Sequence, residues 1–108
     1  MDIKLPPPIL AFFKAFNTHN ANAVVALFTG DALVTDEGKD YHGAAIKKWI
    51  DRVNTNYNPT AEVVDLASSG GAYVVTARVS GTFPGSPIQL RYHFTLKNDK
   101  IAALICGT

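Results

Sequence analysis

Few side chains in this sequence are placed for acid–base chemistry, and Asp36 leads them. Strand alternation across Ala32-Leu33-Val34-Thr35-Asp36 puts Ala32, Val34 and Asp36 on one side. A carboxylate held among apolar walls is desolvated. Desolvation disfavours its charged form and makes it a better acceptor for the proton of a carbon acid. Removing a proton beside a carbonyl leaves an oxyanion, which needs a preorganised donor. Tyr57, ending a helical pattern, and Tyr92, on a strand, carry hydroxyls that could supply one. Each residue also has a plainer reading. Asp36-Glu37-Gly38 makes a turn in which Asp bonds its own backbone, and Tyr57 or Tyr92 can be a core aromatic whose hydroxyl reaches water or one backbone group.

The remaining reactive side chains fit structural roles. Histidine titrates near neutrality and could do dehydratase-type work. His19, however, lies in a link between helices, His42 in a loop leading into a helix, and His93 on a polar strand face beside Arg91. No pair has the spacing of a metal motif such as His-Glu-x-x-His, so neither metal nor cofactor is expected. Cys106, alone in the chain, excludes an intramolecular disulfide and a cysteine-only zinc site. Facing inward with Ala102 and Leu104, it reads as a small hydrophobe. Arg78 and Arg91 alternate with the apolar face of their strands and read as outward.

The elements that must position these groups follow from hydrophobic period. Ile9, Phe12, Phe13 and Phe16 have the spacing of one helical face from Pro8 to about Thr18, with proline acceptable in the first turn. Asn20 can cap a short helix carrying Ala23, Val24, Leu27 and Phe28, with Gly30 as its left-handed stop. Ala32 to Asp36 reads as a short strand, Glu37 to Asp40 as a turn, and Tyr41-His42-Gly43 as the lead into a third helix. There Ile46, Trp49, Ile50, Val53 and Tyr57 form the buried stripe, ended by Asn58-Pro59. Beyond Thr60 the period becomes that of strands, at about 60–68, 72–83, 87–97 and 100–106. Gly70-Gly71 and Phe83-Pro84-Gly85-Ser86-Pro87 supply the turns. Helices first and antiparallel strands last is an α+β layout, three helices covering one face of a curved sheet.

Size and composition narrow the function. A chain of 108 residues is expected to form a single domain, 1–108, too small for two cores. Hydrophobic residues make up 47% and charged residues 18%, which excludes intrinsic disorder. The net charge is +1 and no basic run exceeds Lys47-Lys48, so nucleic-acid binding is not expected. Ile9-Leu10-Ala11-Phe12-Phe13 is cut by Lys14 and preceded by prolines, unlike a signal peptide, and no run approaches the length of a membrane helix. A soluble cytoplasmic protein is expected, without membrane partners.

The order of elements and the residues within them resemble the NTF2-like superfamily, in its SnoaL-like and ketosteroid-isomerase-like branches. Phe16-Asn17-Thr18-His19-Asn20-Ala21-Asn22-Ala23-Val24-Val25-Ala26-Leu27-Phe28 is similar to the family's link between its first two helices. Asp31 to Asp36 resembles its first strand, Gly43 to Trp49 the start of its third helix, and Phe94 to Ile101 its closing hairpin. The resemblance implies an NTF2-like, cystatin-like cone: three N-terminal helices packed on a curved, mainly antiparallel sheet. It also implies that Asp36 faces the cone interior, where the ketosteroid-isomerase-like branch places its general base. In ketosteroid isomerase a tyrosine and a protonated aspartate hold the oxyanion. Here Phe12 stands at the position matching the family's first-helix tyrosine and cannot donate, and Tyr92 stands at that of the second acid. The full steroid-isomerising constellation is therefore not expected. The superfamily's epoxide hydrolysis resembles an Asp-Arg-Asp arrangement, and the outward reading of both strand arginines sets it aside.

A cofactor-free isomerase, cyclase or dehydratase is one expectation, with Asp36 and Tyr92 catalytic. Phe12, Phe16, Trp49, Val53, Tyr57, Val75, Ala77, Leu90 and Cys106 would then wall a pocket for a small apolar or carbonyl-containing molecule. The other expectation is a non-catalytic ligand-binding or dimerisation module. In either case Val74, Thr76, Arg78 and Ser80, with Gln89, Arg91, His93 and Thr95, make a mildly polar outer sheet face suited to a homodimer.

Overall fold

The computed structural model describes residues 4–70 and 72–107. Helix α1 (Pro7–Asn17) starts on prolines in its first turn and buries Ile9, Phe12, Phe13 and Phe16, the face expected from their spacing. Helix α2 (Ala21–Val25) is capped by Asn20, whose side chain accepts from the Ala23 N–H at 3.1 Å. It is shorter than its apolar pattern suggests. Phe28 already belongs to strand β1 (Phe28–Asp36), and Gly30 lies inside that strand instead of stopping the helix. Phe28 is buried and Leu27 half-buried against the core, as either element would have them, so hydrophobicity alone does not separate a helix end from a strand start.

Strand β2 (Lys39–His42) occupies a segment expected to be turn and loop. Asp36 pairs with Lys39, so the turn is only Glu37-Gly38, both at positive φ (53° and 75°). Helix α3 (Ala45–Tyr57) ends on Asn58, which is left-handed at φ 43° and precedes Pro59. Strands β3 (Thr60–Ser69), β4 (Ala72–Ser80), β5 (Ile88–Lys97) and β6 (Lys100–Gly107) then complete the sheet. Gly71 of the expected hairpin turn lies outside the described residues; Gly70 has φ 56°.

The sheet order is β2-β1-β6-β5-β4-β3, with every pairing antiparallel except β1 with β6. Register shifts at Val63/Asp65 and Thr95/Leu96 are bulges of the kind that bend a sheet. The result is the expected α+β architecture, three helices on a six-stranded, curved, open sheet of mixed direction. Its core is aromatic: Phe12 packs against Phe13, Phe16, Phe28, Tyr92 and Phe94, at centroid separations of 5.2 to 6.3 Å. No described helix is long and apolar enough to cross a membrane.

Two contacts set the distance between the helices and the open end of the sheet. Asn17, at the end of α1, treats Ala61 as a neighbouring strand would: Nδ2 donates to the Ala61 carbonyl at 2.9 Å, and Oδ1 accepts its N–H at 2.7 Å. This satisfies Ala61 on the outer side of β3, which is an edge strand of the described sheet. His19, in the α1–α2 link, donates from Nε2 to the Pro59 carbonyl at 2.8 Å.

Candidate active site

Strands β1, β4 and β6 end, and β3 and β5 begin, at the same end of the sheet. There the second half of α3 stands over the sheet and a cavity of about 710 Å³ opens. Asp36 lines it from the last position of β1. Its Oδ2 accepts a hydrogen bond from Trp49 Nε1 of α3 at 2.9 Å. Burial raises the Asp36 pKa above the ordinary carboxylate value of 3.8. The Trp49 hydrogen bond opposes that rise, the Glu37 charge adds to it, and the Glu37 N–H and Arg52 oppose it less. The carboxyl is thus oriented by an indole and still biased toward taking up a proton.

Tyr92 reaches the cavity from the middle of β5. It is 3% exposed, packed among Phe12, Phe13, Phe16 and Phe94, and its hydroxyl bonds to no other described residue. Burial drives its pKa far up, with smaller contributions from Cys106 and Asp36, so the group is a neutral O–H donor at any working pH. Cys106 is opposite both Asp36 and Tyr92 in the sheet register, and burial followed by the Asp36 charge keeps it a thiol. Tyr57 sits at the mouth instead of the floor. Its hydroxyl donates to Glu37 Oε1 at 3.0 Å, which is the main reason its pKa is raised.

Of the expected pocket residues, Phe16, Trp49, Val53, Tyr57, Leu90 and Cys106 do line the cavity together with Asp36 and Tyr92. Phe12, Val75 and Ala77 do not. They are fully buried in the packed core, because α1 lies directly on that part of the sheet and leaves no space above it. Alternation identifies the inward face but not how far along the strand the helices cover it. Val79 and Ile88, on the same inward faces nearer the open end, line the cavity instead. Glu37 and Phe83 also line it, from turns where no periodic pattern points to them.

The loop carrying Phe83 is tied to α3. Thr82 N–H donates to the Tyr57 carbonyl at 2.8 Å, and Gly81 N–H to Ser86 Oγ at 2.9 Å. A Cβ at Gly81 would stand 2.2 Å from the Tyr57 carbonyl oxygen, so only glycine allows this approach. His42 and His93 are exposed on the far side. Among the described residues no group of three His, Cys, Asp or Glu side chains could hold a metal ion.

The SnoaL-like domain model matches residues 9–104. The chain belongs to the SnoaL-like family. This SnoaL-like domain is similar to a proposed polyketide cyclase from Sinorhizobium meliloti, with 36% identity over 94% of each chain and a TM-score of 0.91. It also matches a Catenulispora acidiphila protein with a ketosteroid-isomerase-like fold, solved in complex with trimethylamine (19% identity, 97% of this chain and 87% of that one, TM-score 0.85). A third is SalBIII, an epoxide hydrolase/cyclase-like enzyme of pyran ring formation in salinomycin (22% identity, 94% and 87% covered, TM-score 0.77). The last two show the fold alone. No curated protein matches the sequence.

Proposed function

We propose that this SnoaL-like domain is a cofactor-free enzyme of the isomerase, cyclase or dehydratase kind, acting on a small carbonyl-containing compound. The observation that carries the reading is the Asp36 carboxyl, desolvated on the cavity wall and oriented by Trp49 at 2.9 Å. A carboxylate offers about four lone pairs, and Trp49 and the Glu37 N–H use only part of them, leaving capacity for a substrate proton. Asp36 takes a proton from the carbon next to the carbonyl, and the unpartnered Tyr92 hydroxyl donates to the oxygen where negative charge develops. Trp49 is a positioning residue, acting through Asp36. The similarity to a proposed polyketide cyclase at 36% identity supports carbonyl chemistry of this class.

The test uses phenols that mimic a dienolate. Asn resembles the protonated acid that a base becomes, so Asp36→Asn should bind phenolates roughly tenfold more tightly than the wild type. Equal affinities across pH, or no binding, would turn the reading to a non-catalytic ligand-binding module. That second reading is favoured by Phe12, a non-donor packed in the core beside Tyr92, which leaves one hydroxyl to hold an oxyanion.

The reading extends to assembly and compartment. A second copy of the chain covers the outer sheet face, where Ile105 is 52% exposed beside His93 and Thr35 in register. The free Cys106 suits a reducing cytoplasm.

A further inference from the structure

The mouth of the cavity differs in chemistry from its floor. Tyr57 and Phe83 meet there with ring centroids 5.8 Å apart and planes at 87°. In this edge-to-face pair both rings line the cavity, so a group at the mouth meets aromatic surface from two residues. Glu37 stands at the same mouth, with Oε1 held by the Tyr57 hydroxyl and Oε2 free of any described partner. No Lys, Arg or His lines the cavity among the described residues, whereas Asp36 and Glu37 both do. Arg52 acts on Asp36 and Tyr57 from outside the lining. Deeper in, Tyr92 lines the same cavity, and its hydroxyl, without a described protein partner, is open to a polar group of the bound molecule.

We propose that Tyr57, Phe83 and Glu37 form an ammonium-binding subsite at the cavity mouth, so that the carbonyl compound bound below carries a tertiary or quaternary amine. The proposal rests on the reading of the cavity as the substrate site and adds the substrate's charge. Aromatic faces attract a cation through their quadrupole, and the effect grows as the cation leaves water. The carboxylate adds a counter-charge, and among the described residues no cation lines the cavity to occupy it, Arg52 acting only from outside the lining. An anionic substituent at the same place would meet the Glu37 carboxylate, which repels it.

A pair of probes of equal shape isolates the charge: 3-(trimethylammonio)phenol and 3-tert-butylphenol, titrated by calorimetry at pH 6, where both hydroxyls are protonated. An apolar cavity without the subsite strongly prefers the tert-butyl compound, because the ammonium must give up its hydration. The expected result is that the ammonium compound binds at least as tightly. In Glu37→Gln and in Phe83→Leu it should lose roughly threefold to tenfold, while the tert-butyl compound changes less than twofold in Glu37→Gln. Tighter binding of the tert-butyl compound, an ammonium affinity indifferent to Glu37→Gln, or no binding of either probe overturns the proposal. Glu37 is exposed, so Glu37→Gln keeps the test decisive if Phe83→Leu misfolds. Failure of the Asp36 base would show separately, as phenolate affinities unchanged in Asp36→Asn with the ammonium preference intact.

Discussion

Asp36 and Trp49 form a pair whose members change each other's chemistry. A folded-state pKa above the unfolded value means that the native state holds the proton more tightly. Asp36 therefore contributes stability while protonated, and that contribution is lost as pH rises through its raised pKa. Asp36→Asn, which can still accept from Trp49 Nε1, should melt a few degrees above the wild type at neutral pH. The gap should close as pH falls toward the ordinary carboxylate range, in paired thermal scans. On a turned-over carbonyl substrate the same variant should lose at least about a hundredfold in kcat. Trp49→Phe removes the donor and keeps the ring. Without that bond the Asp36 pKa rises further, so the acidic limb of the kcat/KM profile should move to higher pH; an unmoved limb would mean that Trp49 only packs.

At the scale of elements, hydrogen bonds tie α1 to β3 and α3 to the loop after β4 around the open end of the sheet, where the cavity lies. Asn17→Ala would strip partners from both the N–H and the carbonyl of Ala61. The expected cost is about 2–3 kcal/mol, read as a lowered urea midpoint with an unchanged slope. Gly81→Ala would push a methyl into the Tyr57 carbonyl, breaking the Thr82–Tyr57 bond that seats Phe83 at the mouth. A cost of about 2–4 kcal/mol and weakened phenol binding should appear together, since one displacement causes both. These links are hard to read in sequence. Asn17 has the residue type of a helix end, and Gly81 that of any strand end, and neither signals its partner 44 or 24 positions away.

At the scale of the whole molecule, the sheet has one face under the helices and one bare. The bare face joins Ile105, Thr35, His93 and Val74 along a row of register partners, with few charges to oppose pairing with its own copy. Ile105→Lys should leave the fold within about 0.5 kcal/mol of the wild type, as suits an exposed site. Sedimentation should then show the wild type as a dimer and the variant as a monomer; a monomeric wild type would remove the dimer from the proposed function.

What the sequence determined by itself is everything that depends on local period and residue type. The aromatic face of α1, the stripe of α3 and the alternation of β5 all lie where spacing puts them, because each helix or strand must turn one face away from water. The resemblance to an NTF2-like cone is carried by neighbouring stretches: Phe16 to Phe28, Asp31 to Asp36, Gly43 to Trp49 and Phe94 to Ile101. Alternation puts Asp36 on one side with Ala32 and Val34 at the end of a strand, and the resemblance implies that this side faces inward. Tertiary structure alone decided where packing stops and the cavity begins. Phe12, Val75 and Ala77 share inward faces with Phe16, Leu90 and Tyr92, and only the placement of α1 over the sheet closes one set and opens the other. It likewise brought the Trp49 indole to the Asp36 carboxylate, and Glu37 and Phe83 to the mouth, contacts between distant segments that no local pattern encodes.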